Sequence, residues 1–262
     1  MSFAERIQKD FTTITLALIP VAIVINIVVG QIVQNYLKLP IYLDSIGTVL
    51  VAVLAGPIAG AVTGALSNII WGIIFSNPQI IPFAVTAFVI GLLAGVFAQF
   101  GWFKRHLPLT QGILAVLVVG GILCALQVLN SPDDPTALGV SARFVGGGIA
   151  ALLTILMIVL VFLRLFPPLV AVGGIVTGIA AAIVSAPISA FVFGGVTGSG
   201  TDALVALFRS AGASIYQAAL GQGLVSDPFD KFVSFIIVWF ILRGLSKRLL
   251  SQFPRSQNVT EE

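Results

Sequence analysis

Long apolar runs separated by short polar turns make up most of the chain. The first covers residues 12–33 and carries Pro20 and Asn26 inside it. At about 1.5 Å per helical residue, a run of this length reaches across the hydrocarbon core of a bilayer. Residues 35–43 follow as an amphipathic connection rich in tyrosine. Next come an apolar run at 44–55, the pair Gly56-Pro57, and a second run at 58–75. Proline opens a helix well and interrupts one badly, so the pattern predicts two helices meeting at a tight Gly-Pro turn. The first of the two is short for a full crossing, and a single kinked helix fits the same pattern. Residues 76–82 form a polar break with two prolines. Residues 83–100 span again and end at the basic turn Lys104-Arg105-His106.

Two further spans are expected at 113–129 and 145–166, joined by an acidic loop that contains Asp133 and Asp134. Pro167-Pro168 separates them from 169–193, which is dense in glycine and alanine, and 194–200 reads as a flexible glycine-rich loop. Residues 202–224 are only moderately apolar. With Arg209, Ser210, Ser214 and Gln217 they suit a helix lying in the membrane interface or lining a polar cavity. The last span is expected at 232–245, after a break at Asp227-Pro228-Phe229-Asp230-Lys231.

This reading predicts an all-α polytopic membrane bundle of about eight spans, a single membrane domain over 1–262. With the N terminus inside, Arg6, Lys9, Lys104, Arg105, Arg164, Arg243, Lys247 and Arg248 fall on the cytoplasmic side. Such a bias of basic residues sets orientation, so both termini are expected in the cytoplasm. An even number of spans preserves it, and six does so as well as eight.

Composition agrees. The 262 residues are 58% hydrophobic and 9% charged, whereas ordinary soluble domains carry about 25% charge. A chain so poor in charge has too little polar surface to face water, and lipid is its expected solvent. The net charge of +3 gathers at helix flanks and does not point to nucleic acid. Cys124 is the only cysteine and His106 the only histidine. An intramolecular disulfide is excluded, and no cofactor or metal set is expected. The chain has no Ser-His-Asp set and no paired histidines at metal spacing, so no enzyme chemistry is predicted.

The candidate functional residues are polar or aromatic positions beside or within apolar runs. Asn26 and Asn68 lie inside runs where an unpaired amide is costly, and helix packing or ligand contact would each account for them. Asp44 stands at a helix start near Tyr36, Lys38 and Tyr42. It suits an N-cap, and equally a lid over a polar small molecule. Trp71, Asn77 and Asp202 complete the main set, with Gln217, Asp230 and Lys231 as weaker members. Asp227, Asp230 and Lys231 together read as an interfacial salt-bridge cluster. Small residues four apart, among them Gly60 and Gly64, Gly91 and Gly95, and Gly174 and Gly178, suit close packing between helices or a docking face for another subunit.

The stretch LPIYLDSIGTVLVAVLAGPIAGAVTGALSNIIWGI, residues 39–73, resembles the second and third helices of the substrate-binding subunits (S components) of energy-coupling-factor transporters. The shared features are a loop running into a Leu-Asp helix start, the Gly-Pro turn and a small-residue helix ending in Asn. A Pro-Phe helix with a glycine-rich end follows. FVFGGVTGSGTDALVALF and SDPFDKFVSFIIVW resemble the same group, and the likeness covers 12–103 and 169–248. Such subunits typically have six helices, so the pair at about 113–166 stands as an insertion. Family members often carry an Ala-x-x-x-Ala stripe on the first helix. Here Ala17-Leu18-Ile19-Pro20-Val21-Ala22 breaks that spacing.

The resemblance implies a plasma-membrane subunit of a prokaryote that captures a vitamin or similar micronutrient from outside. It also implies a transmembrane scaffold subunit and two cytoplasmic ATPases as partners. The substrate pocket would draw on Asn26, Tyr36, Lys38, Tyr42, Asp44, Asn68, Trp71, Asn77 and Asp202. A membrane sensory module or a solitary small-solute carrier is the alternative. Carriage by the chain alone is disfavoured on the expectation that every acidic residue sits near a helix end.

Overall fold

The computed structural model describes residues 8–104, 155 and 167–260. Apart from Ile155, the expected pair at 113–166 lies outside the described residues, as do His106 and Cys124. Among the described residues every regular element is helical, and the all-α expectation holds. The helices are α1 (Thr13–Gly30), α2 (Ile46–Ala55), α3 (Pro57–Ile74), α4 (Ala84–Gln99), α5 (Pro168–Pro187), α6 (Asp202–Ser210), α7 (Ile215–Gly244) and the short α8 (Lys247–Leu250). Two of them widen at their ends into π-helical turns: α1 continues as Gln31–Tyr36 and α5 as Ile188–Val192.

The Gly-Pro turn is present and is a true break. Gly56 has φ of 115°, a backbone that side chains resist, and Pro57 occupies the first turn of α3, where its missing N–H costs nothing. Four segments are long and apolar enough to cross a membrane: Thr13–Tyr36, Pro57–Ile74, Pro78–Gln99 and Pro168–Val192. The expected eight spans thus reduce, among the described residues, to four by length and composition.

The C-terminal part departs from expectation. In place of one helix over 202–224 and another over 232–245, α6 ends at Ser210, a turn passes through Gly212 at φ 89°, and α7 then runs unbroken for 30 residues. A capping box opens it: the Ser214 hydroxyl accepts from Gln217 N at 3.2 Å, and the Gln217 carboxamide accepts from Ser214 N at 2.9 Å. Pro228 sits inside the helix. One proline removes a single backbone bond, whereas a full break inside an apolar bundle would leave several peptide groups unpaired.

Close contacts give each helix its direction. Gly47 of α2 packs on the Ala22 backbone of α1, and Gly56 meets Asp10, so α2 runs back along α1. Gly64, Gly91 and Gly95 bring α3 and α4 together in antiparallel sense, facing Ala87, Gly60 and Pro57 respectively. Gly174 and Gly178 of α5 lie against the α7 backbone at Lys231-Phe232 and Asp227-Pro228. These small-residue stripes therefore serve internal packing, where the absence of a side chain lets backbones approach. Among the described residues, six helices (α1 to α5 and α7) pass through the bundle, each antiparallel to the one before it in this series. Both described ends meet at one face: Arg255 donates to Asp10 Oδ1 at 2.7 Å from Nη2, and Asn258 Nδ2 donates to the Val53 carbonyl at 3.0 Å.

The bundle is apolar outside as well as in its core. Leu16, Val21, Val24, Val28 and Ile32 of the first helix face outward, a stripe that lipid would cover. Asn26, on the opposite side, is wholly buried. Its Nδ2 donates to Thr48 Oγ1 at 2.8 Å and Ser67 Oγ at 2.9 Å, and its Oδ1 accepts from Gly47 N at 2.7 Å. Ser45 gives α2 no side-chain cap, so Asn26 of α1 caps α2 from outside and ties in α3. Asn26→Ala is expected to lower stability by about 2 kcal/mol, because the Gly47 N–H then loses its acceptor in a dry interior. Thermal unfolding in detergent measures this; an unchanged midpoint would show the amide to be dispensable.

Candidate functional site

Away from the face where the termini meet, the helices part around a cavity of about 100 Å³. The shortness of α2 makes room for it. Ten helical residues rise about 15 Å, and residues 37–45 fill part of the remaining height as irregular chain. The two π-helical turns bound the same space, supplying Gln34 from the end of α1 and Ser189 from the end of α5. A π turn rotates the side chains after it relative to a regular helix, and such turns recur at functional sites.

One wall is charged. Lys231, buried on α7, binds Asp44 Oδ1 at 3.3 Å and also binds Asp230. Its ammonium stands 5.9 Å from the centre of the Tyr42 ring, within cation–π range. Asp230 is fully buried and accepts from the backbone N–H groups of Tyr42 at 3.0 Å and Leu43 at 2.6 Å. That carboxylate pins the irregular segment 37–45 to α7. Asp44 also accepts from Gln34 Nε2 at 3.3 Å. Asp227 lines the cavity one helical turn from Lys231 and is 4% exposed.

The Tyr42 hydroxyl accepts from Gln222 Nε2 at 3.1 Å and lies 3.0 Å from Thr201 Oγ1. Burial, with the Asp227 and Asp44 charges adding to it, raises the Tyr42 phenol above its ordinary value, so it stays protonated and has a proton to give Thr201. The rest of the lining includes uncharged side chains: Asn68 and Trp71 from α3, Phe83 and Thr86 around the start of α4, and Ala181 and Ser185 from α5. Trp71 is held in place by its indole N–H, which donates to Gln31 Oε1 at 2.9 Å. The Asn68 side chain makes no hydrogen bond to a described residue, and the Thr86 hydroxyl is buried without a partner.

Of the residues singled out from sequence, Tyr42, Asp44, Asn68, Trp71 and Lys231 line the cavity. Asp230 supports it from behind. Asn26 does not reach it, being used up in joining three helices. Tyr36 points outward at 75% exposure. Lys38, in left-handed backbone at φ 51°, donates to the Gly198 carbonyl at 3.1 Å and so joins two loops over the bundle end. Asn77 caps the 3₁₀ turn Pro78–Phe83 through Gln79 N. Asp202 binds Thr197 N at 3.0 Å and Gly198 N at 2.7 Å, closing the glycine-rich loop on itself. Gln217 is spent in the α7 capping box. Asp44 is not the cap of α2, since Ser45 intervenes.

Sequence reasoning missed Gln34, Thr86, Ser185, Ser189, Gln222 and Asp227 as lining residues. It also placed Asp227, Asp230 and Lys231 at the membrane interface, near a helix end. They lie buried near the middle of α7, so the expectation that every acidic residue sits near a helix end is corrected. The signal was present: Gln222 with Ser226, and Asp227 with Lys231, are each four residues apart and share a helix face once α7 is continuous. Among the described residues, no group of three or more His, Cys, Asp or Glu could hold a metal ion. Comparison with protein-family models, curated proteins and solved structures finds no match for the chain.

Proposed function

We propose that this chain is the membrane-embedded substrate-binding subunit of an ATP-driven importer of the energy-coupling-factor type. It captures a vitamin-like small molecule in the cavity beneath residues 37–45. The observation that carries the reading is the cavity itself: charged, polar and aromatic side chains line one space inside an apolar bundle. Membrane interiors seldom contain ionisable groups without a use for them. The six alternating helices among the described residues, with both described ends at one face, agree with a six-helix core and with termini on a single side. The resemblance over residues 39–73 supplies the transporter class.

In this scheme the segment 37–45 forms the roof, pinned by Asp230 and by the Tyr42 contacts. Opening it breaks the two backbone bonds to Asp230. A transmembrane scaffold subunit and two cytoplasmic ATPases supply the work that moves the loaded subunit, in the plasma membrane of a prokaryote with the termini cytoplasmic. The test is purification of the tagged chain in mild detergent from its own host, with co-purifying proteins identified by mass spectrometry. Co-elution of a membrane scaffold and two ATPases is expected. Repeated recovery of the chain alone, while a control complex survives the same detergent, would overturn the assignment.

One observation favours a second reading. Asp227 and Asp230 are buried at mid-helix, where ion-coupled carriers keep their carboxylates. A solitary carrier would load reconstituted vesicles under an ion gradient without ATPases.

A further inference from the structure

Charge is unevenly matched around the cavity. Three carboxylates, of Asp44, Asp227 and Asp230, face a single ammonium, that of Lys231. Lys231 is committed to two of them. Asp230 is compensated further by two backbone N–H groups, and Asp44 by the Gln34 amide. Asp227 has only the Ser226 hydroxyl at 3.5 Å, and that hydroxyl is 3.1 Å from the Gln222 carbonyl. A hydroxyl has one proton to donate, and the carbonyl is the nearer acceptor. Asp227 is thus a carboxyl group, 4% exposed, with no strong partner of its own among the described residues.

Two further polar side chains stand idle in the same space, and of the two only the Thr86 hydroxyl is wholly buried. Asn68 is 6% exposed and the Thr86 residue 7% exposed. Both line the cavity, and neither side chain hydrogen-bonds to a described residue. Buried polar atoms are ordinarily paired, and those left open at a cavity point to an absent partner. The Trp71 ring completes the lining with an aromatic wall, a favourable neighbour for positive charge.

We infer that the cavity takes a small flat organic cation, an amidine, azolium or protonated amine, with Asp227 as its counter-charge and with Asn68 and Thr86 fixing its orientation. This rests on the binding reading above and adds the charge class of the ligand. An ionised carboxylate without a partner is costly inside a membrane protein, and a bound cation removes that cost while fixing specificity.

The test uses the full chain, purified in detergent and dialysed, with three probes of one shape: benzamidine (cationic), benzamide (neutral) and benzoate (anionic). Calorimetry is expected to show benzamidine bound more tightly than the other two by on the order of a hundredfold. Asp227→Asn should abolish that preference and Asp227→Glu should retain it. Equal binding of all three probes, or a preference indifferent to Asp227→Asn, overturns the cationic inference and leaves the cavity a binding site. Failure of all three to bind overturns the inference and the small-molecule reading together. A second measurement needs no probe: unliganded Asp227→Asn should melt no lower than the parent. A lower midpoint, or failure to accumulate, would show that the protein itself holds the carboxylate, and the inference falls.

Discussion

Lys231→Met is expected to deplete the protein from the membrane fraction or to lower its stability by about 3–5 kcal/mol, the usual cost of removing one partner from a buried ion pair. The ammonium binds two carboxylates at once, and its loss leaves Asp230 charged in a wholly buried position. The damage extends beyond the pair. Asp230 holds the Tyr42 and Leu43 N–H groups, so displacing its carboxylate frees the roof of the cavity. Adding Asp230→Asn should restore a large part of the stability, because the amide keeps an acceptor for those N–H groups without a charge to be neutralised. Size-exclusion profiles and thermal midpoints of the single and double variants measure this. A Lys231→Met protein with parental yield and midpoint would show the ion cluster to be idle.

Gly178→Val is expected to produce the second large effect. The added Cβ would meet the α7 backbone at the Asp227 carbonyl and the Pro228 Cα, and neither can yield as a flexible side chain would. Overpacking commonly costs about 1–3 kcal/mol, and a backbone obstacle places this case at the upper end. The helices forced apart carry Ser185 on one side and Asp227 and Lys231 on the other, so probe binding should fall together with the melting point. Gly244→Ala is the matched control: it meets open space and should leave both unchanged. Equal behaviour of the two variants would mean that the close contact at Gly178 is not under compression.

The parts of this fold legible in the sequence are those written in proline and in apolar length. Gly56-Pro57 declared its turn because one residue requires left-handed backbone and the next suits only a helix start. The first, third, fourth and fifth helices were evident as runs of the right length. Asp227-Pro228 misled for the same reason: proline beside aspartate looks like a break, and only the packing of α5 against that point shows why the helix continues. Asn26 and Asn68 looked alike as single amides in apolar runs. Asn26 faces Thr48, Ser67 and Gly47, and Asn68 faces a cavity, a difference that depends on three helices meeting. Tyr36 and Lys38 were grouped with Asp44 by nearness along the chain, yet the left-handed backbone at Lys38 turns that part of the loop away. Ser185, Ser189 and Thr86 escaped because isolated hydroxyls are common helix-packing residues, and nothing local separates those that face a void.

The ten-residue length of α2 has a consequence for how far a solute must travel. A helix of about 15 Å covers about half of a 30 Å hydrocarbon layer, and the cavity occupies the level its absent turns would have filled. In the importer proposed above, a molecule lodged there would have completed much of its crossing, and what would stand between it and the far side is the short helix and its neighbours. On that proposal the barrier to passage would be lopsided: a thin, loop-built cover on one side and a stack of tightly apposed glycines on the other. Any transport cycle built on this scaffold must spend its work on the packed half.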